Sequence, residues 1–384
     1  MLYWLLYQVL FRGYAERYPF LSPLRLFQYV TFRTAFASLT ALFLCLLIGP
    51  WMIRKLREFS FGQFIREEGP RSHQKKAGTP TMGGLLIIIA IVIPTLLWAD
   101  LTNPYVWIAL YTLVAFGAIG FWDDYTKVAK KRNLGLSSGQ KFMAQVAICL
   151  SIGIILLRLH AIGGYETAMN VPFFKQFRPD LLITGLLGNP WTYPLAFVFF
   201  YVFMVLVIAG ASNAVNLTDG LDGLAIGLMI IAAGAMTVLA YVGGHRELAQ
   251  YLELERLTRG SELTIFCGAM TGASLGFLWY NAHPAEVFMG DVGALSLGGA
   301  LGVVAVLIKQ EILLLFIAGV YVLELLSVVL QVASFKLRGK RIFKMAPVHH
   351  HFEALGWQES KVIARFWIAG LVLALFALTT LKLR

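Results

Sequence analysis

The chain has 384 residues, of which 58% are hydrophobic and only 14% are charged, whereas soluble proteins carry about 25% charged residues. This composition excludes an ordinary soluble enzyme, because apolar stretches long enough to cross a ~30 Å hydrocarbon layer recur along the whole chain. The net charge of +11 is attributed to loops that face anionic lipid. No soluble stretch is long enough for a nucleic-acid-binding domain, so no nucleic-acid partner is expected.

The N-terminal residues MLYWLLYQVLFRGY lack a basic start and a small-residue cleavage site, which favours a retained interfacial segment over a signal peptide. After it, the pattern predicts about ten transmembrane helices. Their approximate ranges are 30–53, 80–98, 104–122, 141–158, 193–212, 221–242, 263–280, 292–308, 312–335 and 362–382. The sequence therefore predicts an all-α, polytopic integral membrane protein, with residues 1–384 forming a single membrane domain.

The distribution of Lys and Arg predicts the orientation of these helices. The loops after the first, third and ninth spans are rich in basic residues, whereas those after the second, fourth, sixth and eighth carry few. The positive-inside rule places the basic loops in the cytoplasm and both termini in the periplasm. Arg12, Arg17, Arg25 and Arg33 near the N-terminus point the other way.

The scarce acidic residues are concentrated at three places on the predicted cytoplasmic face. Asp123 and Asp124 end the third span, Asp219 and Asp222 lie between the fifth and sixth, and Asp291 begins the eighth. Carboxylates at a membrane border are costly unless they meet cations or line a wet cavity. We therefore interpret them as candidates for an active-site cleft on the cytoplasmic face.

Helix capping is the alternative interpretation of these acids. Asp291 precedes an apolar run and is a plausible N-cap. Asp123 and Asp124 lie at the C-terminal end of a helix, where the macrodipole disfavours negative charge, so capping explains them poorly. A bound metal ion or a shared proton explains that pair better.

Four polar residues recur at intervals of three in the motif NAVNLTDGLDG: Asn213, Asn216, Asp219 and Asp222. Neighbouring members share a helix face, and the intervening glycines indicate an irregular backbone, which is tolerated in a membrane where it lines a cavity. Two amides and two carboxylates can bind a polar ligand such as a nucleoside. A polar seam between helices remains the alternative.

The loop after the ninth span contains three consecutive histidines, His349, His350 and His351, close to several Lys and Arg side chains. Such a set offers many donors to a phosphate group. Zinc is the competing ligand, but three consecutive histidines do not readily ligate one tetrahedral ion, and no cysteine lies nearby.

The motif KKAGTPTMGG ends the first cytoplasmic loop and places Lys76 and Thr81 before a glycine-rich helix start. Free backbone N–H groups at such a start favour anions, although Gly-Gly also permits close helix packing. With acids on the same face, the pattern suggests phosphate on one side of a site and Mg²⁺ on the other. Phosphoryl transfer to or from a lipid fits a site at the bilayer border.

Five motifs, GTPTMGG, GFWDDYTK, GASNAVNLTDGLDGLA, NAHPAEVFMGDVG and MAPVHHHFE, occur in an order that resembles the phospho-N-acetylmuramoyl-pentapeptide-transferase family over essentially the whole chain. The resemblance implies a Mg²⁺-dependent enzyme of the bacterial inner membrane. It would transfer phospho-N-acetylmuramoyl-pentapeptide from UDP-N-acetylmuramoyl-pentapeptide to undecaprenyl phosphate, releasing UMP and making lipid I. This is a step of peptidoglycan synthesis, on which cell wall, cell shape and cell division depend. The oligomeric state stays open, with a homodimer among the options.

The resemblance also assigns roles to matching positions. Asp123, Asp124 and Asp291 match the essential acids, and Asp291 is the expected Mg²⁺ ligand. The remaining matches are expected around the nucleotide, sugar and diphosphate: Lys76, Thr81, Lys141, Asn213, Asn216, Asp219, Asp222, Asn281, Phe288, Gln331, His349, His350 and His351. Without the resemblance, Phe288 also reads as an interfacial aromatic anchor.

Two rival functions remain at this point. A related transferase would move N-acetylglucosamine phosphate to a polyprenyl phosphate. An ion-coupled transporter also uses broken helices and buried acids, but near the bilayer midplane and usually in repeated halves.

Overall fold

The computed structural model describes residues 1–59, 78–129, 135–174, 177–183, 188–189, 191–254 and 256–382. Within these ranges the chain is helical and forms no β-strand, and an isolated bridge pairs Ala168 with Asp180. The all-α expectation is therefore confirmed for the described part of the chain.

The chain begins with a π-helical segment (Trp4–Phe11), a short helix α1 (Arg12–Tyr14) and a 3₁₀ segment (Pro19–Gln28). The long helices follow. They are α2 (Val30–Glu58), α3 (Gly84–Trp98), α4 (Pro104–Ala129), α5 (Ser138–Ala161), α6 (Tyr193–Thr218), α7 (Leu224–Gly244), the short α8 (Arg246–Tyr251), α9 (Leu263–Asn281), α10 (Gly290–Leu307), α11 (Glu311–Ile317), α12 (Gly319–Arg338), α13 (Val348–Ala354) and α14 (Glu359–Thr379).

Nine helices of the described residues are long and apolar enough to cross a membrane. The second predicted span corresponds to α3, which is apolar but has only 15 residues. It begins at Gly84 rather than near residue 80, because the preceding residues form hydrogen bonds to the segment before α10. The ninth predicted span is divided into α11 and α12 at Ala318, whose backbone leaves the helical region.

Helix α10 lies at the centre of the bundle and packs against α4, α6 and α3. Every residue from Val292 to Leu307 is buried. Small residues explain this close packing: a methyl group added at Gly298 or Gly302 would overlap α6, and one at Gly299 would overlap the ring of Phe116 in α4. Helices in a bilayer associate through such small-residue contacts, because apolar surface alone gives little preference for protein over lipid.

The direction of the helices gathers the polar motifs at one end of the bundle. Helices α4 and α6 run toward the end where α7 and α10 begin. The non-helical residues between Thr218 and Leu224 lie at this end too, and Gly223 there adopts a left-handed backbone with φ +80°. The irregular backbone predicted around Gly220 and Gly223 is thus confirmed.

Candidate active site

Three carboxylates from two distant segments meet at this end of the bundle. Asp123 and Asp124 lie near the C-terminal end of α4, and Asp291 is the second residue of α10. One oxygen of each lies within 4.8 Å of those of the other two. Asp124 also accepts a hydrogen bond from the Val292 backbone N–H at 3.2 Å, which ties the two helices together. The predicted convergence of these acids is present in the fold.

Two lysines neutralise part of this acid cluster. Lys127 Nζ lies 2.6 Å from Asp123 Oδ2, 3.2 Å from Asp124 Oδ1 and 3.0 Å from Asp291 Oδ2. Lys141 Nζ lies 2.6 Å from Asp291 Oδ2 and 3.4 Å from Asp123 Oδ2. In the part of the chain that the structure describes, two ammonium groups thus face three carboxylates, and this set keeps a formal negative charge. The resemblance matched Lys141 to a basic residue near the phosphates of the substrate, and the structure places it beside the acids.

Asn216 and Asp219 extend the cluster from the end of α6. The Asn216 amide donates to Asp291 Oδ1 at 2.7 Å. Asp219 is the residue that directly follows α6. Burial, together with the neighbouring charges of Asp291 and Asp124, raises the pKa of Asp219 to about 8. Asp219 is half-buried, and a carboxyl there that keeps its proton near neutral pH limits the negative charge of the cluster.

The glycine-rich motif and the segment before α10 lie side by side. Phe288 N–H donates to the Pro80 carbonyl, and the N–H groups of Gly83 and Gly84 donate to the carbonyls of Phe288 and Met289, each at 2.9 Å. This pairing holds Thr81 and the half-buried Phe288 next to Asp291. A methyl group at Gly290 would contact both the Thr81 hydroxyl and Asp124, so the two motifs approach each other closely.

Asn213 has a different environment from Asn216. Its amide donates to Gln145 Oε1 in α5 and to the Ala209 carbonyl, both at 2.7 Å. These contacts form a polar seam between α5 and α6, which was the alternative to ligand binding for this motif. The four-residue set is therefore divided between a seam and the acid cluster.

Asp222 and Asn281 face the loop that precedes α10. Asp222 Oδ2 lies 3.1 Å from His283 Nδ1 and accepts from the Ala285 N–H at 3.2 Å. The buried Asn281 amide donates to the Val287 carbonyl at 2.9 Å and accepts from the Gly223 N–H at 3.1 Å. Asn281 thus links the start of α7 to the loop that carries Phe288.

The three histidines occupy successive positions of the short helix α13 and point in different directions. His349 is fully buried, whereas His350 and His351 are half-buried. His350 Nδ1 lies 2.7 Å from Glu353 Oε2, and His351 Nδ1 accepts from the Lys344 N–H at 3.1 Å. The geometry brings no two of them together with a carboxylate as a metal site among the described residues.

The last two predicted substrate-binding positions are Gln331 and Lys76. Gln331 uses its amide to hold the loop after α12, accepting from the N–H groups of Ile342 and Phe343 at 3.0 and 2.9 Å and donating to the Phe343 carbonyl at 3.0 Å. Lys76 lies outside the described residues.

Sequence reasoning missed Lys127 as a site residue. It counted this side chain only as a loop cation, although the spacing in GFWDDYTK carries the signal. Residues three and four apart share a helix face, so a lysine at 127 is within reach of carboxylates at both 124 and 123. No local spacing indicates Gln145, Glu324 and His283, because their partners Asn213, His349 and Asp222 lie in distant parts of the chain.

Comparison with known proteins identifies the family. The sequence model described as Glycosyl transferase family 4 matches residues 106–309, and a phospho-N-acetylmuramoyl-pentapeptide-transferase signature matches residues 76–88. The relative from Solibacter usitatus with that name is 70% identical, and the alignment covers all of both chains. The relatives from Koribacter versatilis and Acidobacterium capsulatum, 63% and 64% identical, are also covered completely. The chain belongs to the phospho-N-acetylmuramoyl-pentapeptide-transferase family.

Members of this family are phosphoglycosyl transferases, and the described helices make this member a multi-pass protein of the bacterial inner membrane. The first family signature covers the glycine-rich motif that pairs with Phe288. The Glycosyl transferase family 4 match includes all three acids of the cluster. Family membership and geometry therefore point to the same end of the bundle.

The acid cluster fits a hard divalent cation. Carboxylate oxygens are the ligands that Mg²⁺ prefers, and it is commonly held by one or two of them together with substrate phosphates. The Lys127 ammonium group lies within 3.2 Å of an oxygen of each of the three carboxylates, so it marks a position at which positive charge is stabilised. These three acids therefore offer the oxygen ligands that such an ion takes.

Proposed function

We propose that this chain transfers phospho-N-acetylmuramoyl-pentapeptide from its uridine diphosphate carrier to undecaprenyl phosphate, which yields lipid I and UMP. The observation that carries this proposal is the cluster of Asp123, Asp124 and Asp291 with Lys127 and Lys141 at the border of an apolar bundle. Such a border lets a lipid phosphate reach a water-soluble nucleotide. The names and the full-length identity of the relatives support the choice of substrates.

The reaction that this site would serve is an attack at phosphorus. A phosphate oxygen of the lipid would form a bond to the β-phosphorus of the donor, while the bond from that phosphorus to the oxygen shared with UMP breaks. Asp123 would accept a proton from the lipid phosphate or orient it. Lys127 and Lys141 would neutralise charge on the diphosphate and on the departing UMP.

We further propose that the enzyme requires Mg²⁺, with Asp291 as its principal ligand and the carboxylates of Asp123 and Asp124 beside it. When bound, the ion would neutralise charge on the diphosphate and polarise its oxygens. Asn216 would hold Asp291 in the orientation seen in the structure, since its amide already donates to Oδ1.

The nucleotide is proposed to lie between the glycine-rich motif and the end of α6. Thr81 and Phe288 are held together by backbone pairing, and the half-buried ring of Phe288 offers a face on which uracil can stack. Asp219, Asp222 and the partly exposed His350 and His351 would line the remainder. We place this end of the bundle in the cytoplasm, because the loops with the most Lys and Arg lie there.

The test of this proposal is turnover of purified protein with defined donors and undecaprenyl phosphate. The wild type is expected to release UMP only with divalent cation present. Asp291→Asn keeps the size of the side chain but removes its charge, so UMP release should fall below detection while the melting temperature changes little. Glu58→Gln, in an exposed ion pair with Lys55, is the matched control and should retain full activity. Turnover of Asp291→Asn at the wild-type rate would refute the proposed role of the acids.

The timing of UMP release separates direct attack by the lipid from a covalent phospho-aspartyl route. In direct attack, mixing enzyme and donor without lipid acceptor releases no UMP. A burst stoichiometric with enzyme would instead show that an aspartate takes the phosphoryl group first. Competition with UDP-N-acetylglucosamine would decide against the related transferase if only the muramoyl-pentapeptide donor is consumed.

A further inference from the structure

Glu324 and His349 form a fully buried pair that the proposed reaction does not use. Both side chains have 0% exposure, and His349 Nδ1 lies 3.2 Å from Glu324 Oε2. Glu324 belongs to the membrane-spanning helix α12, and His349 belongs to α13. A carboxylate inside a membrane-spanning helix is costly without a partner, so this pair calls for a physical reason.

The opposite edge of the His349 ring packs against the turn between α6 and α7. A methyl group at Gly220 would overlap His349 Nε2, so the ring lies directly against the backbone at this glycine. Among the described residues neither ring nitrogen has a hydrogen-bond partner, so the ring meets Gly220 by van der Waals contact and Glu324 by an electrostatic contact. The His349 backbone N–H also donates to Glu324 Oε2 at 3.5 Å. Gly220 follows Asp219, the half-buried carboxyl beside the acid cluster.

A second contact from α12 supports the other side of the same turn. Tyr321 lies three residues before Glu324, on the same helix face, and its hydroxyl donates to the Ala225 carbonyl at 2.6 Å. The segment from Asp219 to Ala225 is therefore supported by α12 at two points. Tyr321 contacts it directly, and Glu324 contacts His349, which packs against Gly220.

The burial of His349 separates it from its two neighbours. No part of its side chain is exposed, so a substrate in the cleft has no atom of His349 to contact, whereas His350 and His351 are half-buried. The triple-histidine motif thus has two members that can face a ligand and one that faces the protein interior.

We infer that Glu324 and His349 are positioning residues for nucleotide binding. Glu324 holds the imidazole of His349 in place, and His349 supports the Asp219–Gly223 turn in the conformation that receives the uridine diphosphate donor. This inference rests on the proposed function, because it takes the nucleotide to bind beside that turn.

The experiment compares Glu324→Gln and His349→Gln with the wild type in purified form. Glu262→Gln is the matched control, since Glu262 is a buried carboxylate paired with Arg33 at the opposite end of α9 from Asn281. The readouts are the donor KM, the KM for undecaprenyl phosphate, and the Kd of UMP by calorimetry in detergent. We expect the donor KM and UMP Kd to rise roughly tenfold or more in both site variants, because a partner of a buried ionisable group is lost. The lipid KM should change less than about twofold, and the control should move none of the three.

Two further variants keep the test decisive. Gly220→Ala presses a methyl group on the His349 ring without removing a buried charge, and it should reproduce the rise in donor KM if Glu324→Gln fails to fold. The double variant Glu324→Gln/His349→Gln should be no worse than the more damaging single variant, because both act through one support.

Equal donor KM and UMP Kd in the wild type and in all folded variants would overturn the inference. So would equal loss of affinity for donor and lipid, or the same rise in donor KM in Glu262→Gln, since either result indicates general destabilisation. Absence of UMP release by the wild type would instead be a failure of the proposed function. Direct binding of UMP would still report on the turn in that case.

Discussion

Lys127 and Asp291 lie 164 positions apart in the chain, yet Lys127 Nζ is 3.0 Å from Asp291 Oδ2. The same ammonium group contacts both acids of its own helix, Asp123 and Asp124. Lys127 therefore links the end of α4 to the start of α10 by charge. Without it, Lys141 would be the one remaining cation of the described residues in contact with these three carboxylates, which lie within 4.8 Å of one another.

The first prediction concerns this lysine. Lys127→Met keeps the length of the side chain but removes its charge, which leaves the carboxylates in mutual repulsion. We expect turnover to fall by roughly 100-fold, as for loss of a group that stabilises developing charge. The melting temperature should also drop without divalent cation and recover when MgCl₂ is added. Steady-state UMP release and thermal unfolding with and without MgCl₂ measure the two effects.

Lys55→Met is the control for Lys127→Met. Lys55 forms an exposed ion pair with Glu58, and exposed pairs contribute little to stability. The control should keep its activity and melting temperature. Turnover of Lys127→Met within about threefold of the wild type would contradict the assignment of Lys127 to the site.

The second prediction uses Asn216, whose amide donates to Asp291 Oδ1 at 2.7 Å. Asn216→Asp replaces that donor with a carboxylate, so two negative charges meet at hydrogen-bond distance. We expect a loss of turnover of roughly 100-fold, larger than the roughly tenfold loss in Asn216→Ala. A MgCl₂ titration should show that the Asp variant needs a higher concentration for half-maximal rate.

The control for Asn216→Asp is Asn103→Asp at the start of α4. Asn103 accepts from the Tyr105 N–H, and its amide donates to the Arg259 carbonyl at 2.7 Å. The substitution therefore removes a donor at the same distance as in Asn216→Asp, but at the opposite end of α4 from the acid cluster. Its activity should stay at the wild-type level. A larger loss of activity in Asn216→Ala than in Asn216→Asp would contradict the expected charge repulsion at Asp291.

The third prediction concerns the contact between α3 and α10. A methyl group at Gly84 would overlap the backbone of Gly293, so Gly84→Ala must separate the two helices. Because Gly84 N–H also donates to the Met289 carbonyl, the separation should move Phe288 away from Thr81. We expect a lower melting temperature and a raised donor KM, measured in the same preparation.

Gly139→Ala is the matched control, because no atom of the described residues lies within 4 Å of the position that its Cβ would take. It lies in α5, where alanine is favoured over glycine by roughly 1 kcal/mol. The control should be as stable as the wild type or more so. If Gly84→Ala matches it in both measurements, the close helix contact has no functional consequence.

The fourth prediction is a pH dependence at the far end of α10. Lys309 and Glu311 are buried there, with Nζ 3.9 Å from Oε1. Burial lowers the pKa of Lys309 to about 8 and raises the pKa of Glu311 to about 7. Between pH 4.5 and 7 the folded state binds more protons at Glu311 than the unfolded state, so stability falls as pH rises. Between pH 8 and 10.5 the folded state binds fewer protons at Lys309, so stability rises again.

The pair therefore lowers the free energy of unfolding most between pH 7 and 8, where both side chains are charged in the folded protein. Replacing a buried ion pair with uncharged side chains is often stabilising by about 1–4 kcal/mol. Lys309→Met/Glu311→Gln should raise the melting temperature most near neutral pH. Thermal unfolding at about pH 5, 7.5 and 9.5 tests this. A gain that is equal at all three values, or smallest at the middle one, would count against the assignment.

The fold was largely predictable because the bilayer imposes helices and a minimum length. The convergence of Asp123 and Asp291 followed from the same constraint, since the parity of the predicted spans places both at one face. Lys127 was predictable in principle from its spacing to Asp123 and Asp124 on one helix. The division of the ninth span at Ala318 was not, because the hydrophobic run continues through it.

Contacts between helices account for most of what the sequence did not reveal. Asn213 and Asn216 stand one turn apart in the same motif, yet one contacts Gln145 in α5 and the other contacts Asp291. Which of them binds a neighbour depends on how α6 is rotated against α5 and α10, and no local pattern contains that angle. The burial of His349 likewise depends on the position of α12.

The central position of α10 has a consequence for how the protein responds to bilayers of different thickness. Helices that touch lipid tilt or shift when hydrocarbon thickness changes. Helix α10 has no lipid-facing side chain from Val292 to Leu307, so such adjustments fall on the outer helices. Growth temperature and acyl-chain length can then vary while the helix that bears Asp291 keeps its position relative to α4 and α6.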